Sequence, residues 1–169
     1  MNDIERVIEV SLKEFSSYVR VHSWCGRERE AVSLYALGFL QNQVGKADWL
    51  TDPTQISIEG AVRQRPGSKQ KKHVNKDLLL WEAPAMTCWD SDWEPIHVPL
   101  AVLEWKVHRR SSTKQIKFSD YDLDWLSWFT SSQAGRIGFA INLTISDQNS
   151  ILKAARIFEG KVEKNWLSY

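Results

Sequence analysis

Apolar positions recur along this chain with two periods, and the changes of period mark its elements. Ile4, Val7, Ile8, Leu12, Phe15 and Val19 fall on one side of a helical repeat, which predicts a helix over residues 3–20. Ser23 to Gly26 interrupts that repeat. Ala31, Leu34, Leu37 and Leu40 then carry a second helical stripe from about Arg27 to Gln43. Beyond it, Ile56-Ser57-Ile58-Glu59-Gly60-Ala61-Val62 alternates like a half-buried strand. Arg65-Pro66-Gly67-Ser68 is a turn. Two apolar runs follow, one from Lys76 to Trp81 and one from Pro99 to Val107. Ser119 and Asp122 form an N-cap pair, predicting a helix through Leu123, Leu126 and Phe129. Gly138 to Ile145 is a strand, and Ile151, Ala155, Phe158 and Val162 predict a closing helix over residues 150–165.

The resulting order is helix, helix, three strands, helix, strand, helix. With 169 residues, 43% of them hydrophobic and 25% charged, the chain suits one soluble domain with a real core. The expected organisation is a single domain over 1–169, in which helix 3–20 is added to a core of about 27–145 and helix 150–165 closes it. No run approaches the roughly 18 apolar residues of a membrane span. The N-terminus lacks a basic start followed by an apolar stretch, so no secretory signal is expected. Two cysteines, Cys25 and Cys88, make no disulfide framework and set a reduced, cytoplasmic protein as the default.

Charge placement changes this picture more than total charge, which is only +1. Glu104 and Lys106 are set two residues apart into an apolar strand, so they project from one face. Asp77 enters the preceding apolar run. Charges buried in strands are costly unless paired, metal-bound or catalytic. Arg63, Arg65, Lys69, Lys71, Lys72 and Lys76 occupy one acid-free stretch, and Lys106, Arg109, Arg110, Lys114 and Lys117 occupy another. Together they hold half of all Lys and Arg, and each adjoins a charged strand. That arrangement suits a polyanionic substrate, against the plainer possibility of solvated loops. Between them lies an acidic connection, with Glu82, Asp90, Asp92 and Glu94 interleaved with Trp81, Trp89 and Trp93, three of the chain's nine tryptophans.

Asp77 on one strand, Glu104-Trp105-Lys106 on the next, and the capped helix and strand after them resemble the PD-(D/E)XK nuclease superfamily. The resemblance spans roughly Arg27 to Ile145. It implies an α/β fold of the restriction-endonuclease-like type, a mixed central β-sheet flanked by helices with an α-β-β-β-α-β core. It also implies Mg²⁺-dependent cleavage of nucleic-acid phosphodiesters, with Mn²⁺ able to substitute. Lys76 stands where the family's proline precedes the aspartate, and the acidic connection is longer than a tight hairpin. The Glu-x-Lys spelling alone arises about once by chance in a chain of this composition. Indeed Glu159-Gly160-Lys161 repeats it, near the end of a helical pattern and with no partner acid. Context therefore carries the motif.

The chemistry accounts for the residue types. Hard divalent cations take oxygen ligands, and Mg²⁺ is usually held by one or two carboxylates plus water and substrate oxygens. Asp77 and Glu104 are the expected catalytic carboxylates and metal ligands, and by resemblance the backbone carbonyl of Trp105 is a further ligand. Lys106 is the third catalytic residue. It can orient the attacking water, help deprotonate it, or stabilise the phosphorane, or else it is one end of a cross-strand ion pair. Members of the superfamily add an acid from the helix before the sheet. Glu30, beside the inward stripe, is preferred here, with Glu28 and Glu14 as alternatives; the helix dipole explains such acids equally well. Arg63, Arg65, Lys69, Lys71, Lys72, Arg109 and Arg110 are expected nucleic-acid contacts.

Other constellations exclude more than they suggest. His22 with Cys25, and Cys88 with His97, form no recognised zinc set. His108 follows Lys106 on the same strand face and could contact phosphate or assist water activation, against the plainer expectation of an edge histidine with no role. There is no phosphate-binding Gly-x-x-x-x-Gly-Lys-Ser/Thr loop, so a nucleotide cofactor is not expected. Trp125 and Trp128 are expected in the core, and Trp89 and Trp93 in local packing or a protein contact. Three functions remain open. The first is a metal-dependent DNA endonuclease, one component of a larger defence, transposition or repair system, relying on a partner protein or homodimer. The second is a nuclease-like domain that binds nucleic acid or a partner without cutting. The third is an interaction protein that uses the acidic Trp loop.

Overall fold

The first helix is fixed by its ends before its packing. Asn2 accepts from the Glu5 N–H at 2.9 Å while the Glu5 carboxylate accepts from the Asn2 N–H at 2.8 Å, a reciprocal capping box. Helix α1 runs Asp3–Val21 and buries Ile8, Leu12, Phe15 and Val19 along one stripe. Helix α2 covers Glu28–Tyr35. The single helix expected from Arg27 to Gln43 is not regular: a π-helical turn over Ala36–Leu40 and a 3₁₀ turn over Gln41–Gln43 continue it. The computed structural model describes residues 2–67, 72–94, 96–109, 117–146 and 150–169.

Among the described residues six strands make one sheet in chain order: β1 (Ile56–Arg63), β2 (His73–Leu80), β3 (Ala101–Arg109), β4 (Ile137–Ile145), β5 (Ile151–Phe158) and β6 (Lys161–Ser168). All neighbours are antiparallel except β3 and β4, which are parallel and joined by helix α3 (Asp120–Ser132). A parallel pair needs such a crossover. The Ser119 hydroxyl caps α3 by accepting from the Asp122 N–H at 3.3 Å, as its sequence predicts. The fold is therefore mixed α/β. Helices α1 and α2 cover one face of the sheet, and α3 covers the other. Phe15 and Tyr35 meet Trp105 of β3 with ring centroids 5.5 and 5.1 Å apart, clamping the centre of the sheet to the first pair of helices. Leu123, Trp125, Leu126 and Phe129 pack α3 onto Leu79, Val102 and Ile157.

The helix expected over 150–165 is instead the β5–β6 hairpin. Phe158 pairs with Lys161 across Glu159 and Gly160, whose φ angles are +49° and +74°. Two successive residues at positive φ are the signature of the tight turn whose twist suits a hairpin. The helical spacing was misleading because β5 is covered on both faces. Leu152 and Ala154 face α1 and α2, Ala155 and Ile157 face α3, and no period of two survives in the hydrophobicity. Glu159-Gly160-Lys161, the second Glu-x-Lys, thus spans a turn. Among the described residues no helix is long and apolar enough to cross a membrane.

Candidate functional site

The site forms where β2 leaves β3. Among the described residues the two strands pair only at Leu78–Leu103, Leu79–Val102 and Leu80–Ala101. Beyond Leu103, β3 continues against β4 to Arg109 but has lost its neighbour on the other edge. Backbone amides on that edge need new acceptors, since an unpaired buried N–H is costly. Carboxylates supply them. Asp77 Oδ2 accepts from the Trp105 N–H at 2.7 Å, and Glu28 Oε2 accepts from the Val107 N–H at 3.3 Å. A strand residue turns its N–H and C=O to the same edge, so the Trp105 carbonyl faces this opening too.

The split has a cause in β1. Its register with β2 is continuous from Ile56–Leu80 to Arg63–His73, except that Glu59 and Asp77 do not pair. Glu59 sits at φ +53°, a left-handed conformation that a non-glycine residue adopts only under constraint. Next to it, a Cβ on Gly60 would lie 2.4 Å from Leu79 Cδ1. Side-chain alternation inverts at this point. Leu78 and Leu80 face α1 and α2, yet Lys76, of the same parity, lies on the α3 face with its Nζ 4.0 Å from the Trp125 ring centroid. Asp77 turns the opposite way, into a cavity of about 100 Å³ that it shares with Glu28, Arg29, Val32, Ile58 and Glu59. Arg29 Nε holds Glu59 Oε1 at 3.1 Å across that cavity.

Charged side chains gather around the opening. Lys76 donates to Glu104 Oε1, and both side chains are nearly inaccessible, at 2% and 7% exposure. Lys106, half-buried, lies 3.3 Å from Glu28 Oε1 and 3.8 Å from Asp122 Oδ2. Burial pushes the Glu104 carboxyl up to about 7; the Lys76 charge opposes this, and the neighbouring Asp77 and Asp122 charges add to it. Burial works to lower the Lys106 pKa, but Glu28, Asp122 and Asp77 together outweigh it and hold the ammonium above its ordinary value. That favours the charged form and suits Lys106 for orienting or stabilising an anion rather than for accepting a proton. In register beside Lys106 on β4, Asn142 is 4% exposed, and its Oδ1 has no partner among the described residues.

Asp77, Glu104 and Lys106 all border the opening with the Trp105 backbone, but not from one side: Glu104 lies with Lys76 toward α3, while Asp77 turns toward α2 and accepts from the Trp105 N–H. Glu30 stays outside: it is exposed, and its Oε2 accepts from the Arg27 N–H at 2.6 Å to cap α2. Glu28 is the α2 acid that reaches the strand, and Glu14 lies exposed on α1. Arg63, Arg65 and Lys72 are exposed near the ends of β1 and β2, while Arg109 ends β3 and donates to the Cys25 carbonyl at 3.4 Å. Lys69, Lys71 and Arg110 lie outside the described residues. Three further members escaped the sequence reading. Asp122 was visible only as a cap partner. Asn142 was legible as the one amide in an apolar strand. Lys76 stands in the sequence as one of a basic stretch, and simple alternation from the Leu78–Leu103 pair places it away from Glu104. Trp125 is buried, Trp128 half-buried, Trp89 half-buried against His73, and Trp93 is 76% exposed. His108 is half-buried, and its Nε2 has no partner among the described residues.

Suitability for a divalent cation can be judged from the donors. Among the described residues no three carboxylate, imidazole or thiol groups converge into a ready-made cage. The donor chemistry nevertheless fits Mg²⁺, which needs only one or two carboxylates when water and substrate oxygens complete its shell. Five carboxylates, Glu28, Glu59, Asp77, Glu104 and Asp122, face three cations, Arg29, Lys76 and Lys106, so the acids outnumber the bases around the opening. No protein-family model, curated protein or solved structure matches the chain.

Proposed function

We propose that this chain is a metal-dependent endonuclease that hydrolyses phosphodiester bonds in DNA, on a restriction-endonuclease-like core. One observation carries the reading: Asp77, Glu104, Lys106 and the Trp105 backbone all border the edge where β2 and β3 separate, Asp77 from the α2 side and Glu104 from the α3 side. Charge placement supports it. By the strand registers, Arg63, Arg65 and Lys72 fall at the same end of the sheet as Arg109, beyond the opening. A backbone phosphate lying over the opening would be flanked by cations.

In this reading Asp77 and Glu104 would be the carboxylates that hold Mg²⁺ or Mn²⁺, with the Trp105 carbonyl as a further donor, and Glu28 would take the place of Glu30 as the helical acid. The cation, when bound, lowers the pKa of a water and polarises the phosphate. Lys106, kept charged by its acids, orients the attacking water and meets the developing phosphorane charge. Asp122 and Glu28 fix the Lys106 ammonium between α3 and α2. A partner protein or a second copy would supply the other half of a double-strand cut.

Purified protein with Mg²⁺ or Mn²⁺ should nick or cut plasmid DNA. Asp77→Ala, Glu104→Ala and Lys106→Ala, checked for folding by circular dichroism, should each lower the rate by roughly 10²-fold or more. Cleavage that persists unchanged in all three sinks the assignment. The Lys76–Glu104 pair favours a second reading, a nuclease-like domain that binds nucleic acid or a partner protein without cutting, because Glu104 is already neutralised. Salt-sensitive DNA binding with no metal-dependent cutting at any metal concentration would select it.

A further inference from the structure

Lys76 is placed as no structural lysine needs to be. Its side chain is 2% exposed, its ammonium meets Glu104 and the face of Trp125, and Tyr121 is the next ring, at 5.9 Å. Taking both charges out of water costs several kcal/mol per ion before their attraction repays any of it, and an apolar pair of similar volume is often at least as stable. Among the described residues Lys76 is the only hydrogen-bond donor to Glu104. The inversion of alternation at Glu59 and Asp77 is what carries Lys76 to this face. A strained left-handed residue therefore maintains an expensive pair at the carboxylate that the nuclease reading makes a metal ligand.

We propose that Lys76 is a resident counter-ion of the site, competing with the divalent cation for Glu104, and that the cation enters by displacing it. This rests on the nuclease reading of Asp77 and Glu104. Lys76 is then a positioning residue: it keeps Glu104 inward and neutralised until a cation arrives. Asp77 is held instead by the Trp105 N–H, and Glu28 by the Val107 N–H together with the half-buried Lys106. The cation-free site is thereby stabilised at the expense of cation affinity.

Metal binding to the full chain, stripped with chelator, tests this without any assay of cleavage. Mn²⁺ is titrated and the free ion followed by electron paramagnetic resonance. Lys76→Met should bind Mn²⁺ at least tenfold more tightly than the unsubstituted chain. Equal or weaker binding overturns the inference and leaves the nuclease site standing. Failure of both proteins to bind Mn²⁺ overturns the site and the inference with it. Since the substitution leaves Glu104 unpaired, a second measurement uses the unsubstituted chain. Amine acylation read by mass spectrometry should leave Lys76 unlabelled in chelator and label it at saturating Mn²⁺. A Lys76 that stays unlabelled at saturation overturns the displacement.

Discussion

Lys76 and Glu104 show how a single pair can be dear to break yet cheap to replace. Removing one partner strands a buried charge, and such changes cost about 3–5 kcal/mol. Lys76→Met and Glu104→Leu should each lose about that much in urea unfolding. The double variant should recover to the parent's stability or exceed it, because both desolvation penalties vanish together. The comparison also depends on pH. The folded Glu104 carboxyl titrates near 7, above its ordinary 4.5, so the folded state holds a proton that the unfolded chain has released. The stability this group contributes is fully present below about 4.5 and is lost as pH rises through about 7. The double variant should therefore gain on the parent between pH 5 and pH 8. A difference that stays flat over that range would contradict the burial of Glu104.

Among elements, β5 and β6 departed furthest from expectation. The run Ile151, Ala155, Phe158, Val162 satisfies a helical stripe, and only the Glu159-Gly160 turn with its cross-strand partners defeats it. The turn signal was in the sequence, since glycine suits the second residue of such a turn. Glutamate at the first is uncommon there, and the helical stripe outweighed it. Gly160→Ala should cost about 1–2 kcal/mol, because an alanine must take a left-handed φ and its Cβ would come 3.1 Å from the Cβ of Ser131. Thermal unfolding of the two proteins measures the loss, and an unchanged midpoint would show that the hairpin does not depend on this geometry. By contrast α1, β1, β4 and the start of α3 were legible. Each combines a clear period with a chemical end, such as the Asn2–Glu5 box or the Ser119 cap.

At the scale of the molecule, near-neutral charge conceals a polarised sheet. Arg63, Arg65, Lys72 and Arg109 mark one end, and the acids of the opening lie just inside it. Duplex DNA should bind in chelator, with affinity that falls as salt rises. Each phosphate contact contributes about 0.9 to the slope of log affinity against log salt. Arg63→Glu, Arg65→Glu and Lys72→Glu together should weaken binding and make that slope shallower by roughly 2–3. Affinity and slope that ignore all three charge reversals would remove this end of the sheet as the nucleic-acid surface. The acidic tryptophan loop, with Trp93 standing out at 76% exposure, would then become the surface to study.

The sequence by itself determined the α/β class, the three strands and crossover helix that carry the site, and the presence of Asp77, Glu104 and Lys106 on neighbouring strands. It could do so because periodicity and capping are local properties. Which acid of α2 turns inward, Glu28 rather than Glu30, was decided by the tertiary structure. So were the missing β1–β2 rung at Glu59 and Asp77, the parting of β2 from β3, and the union of Lys76 with Glu104. These depend on one left-handed residue and on backbone amides that lose their strand partner. Neither leaves a period in the sequence, because both are settled by which chain segments come to lie side by side.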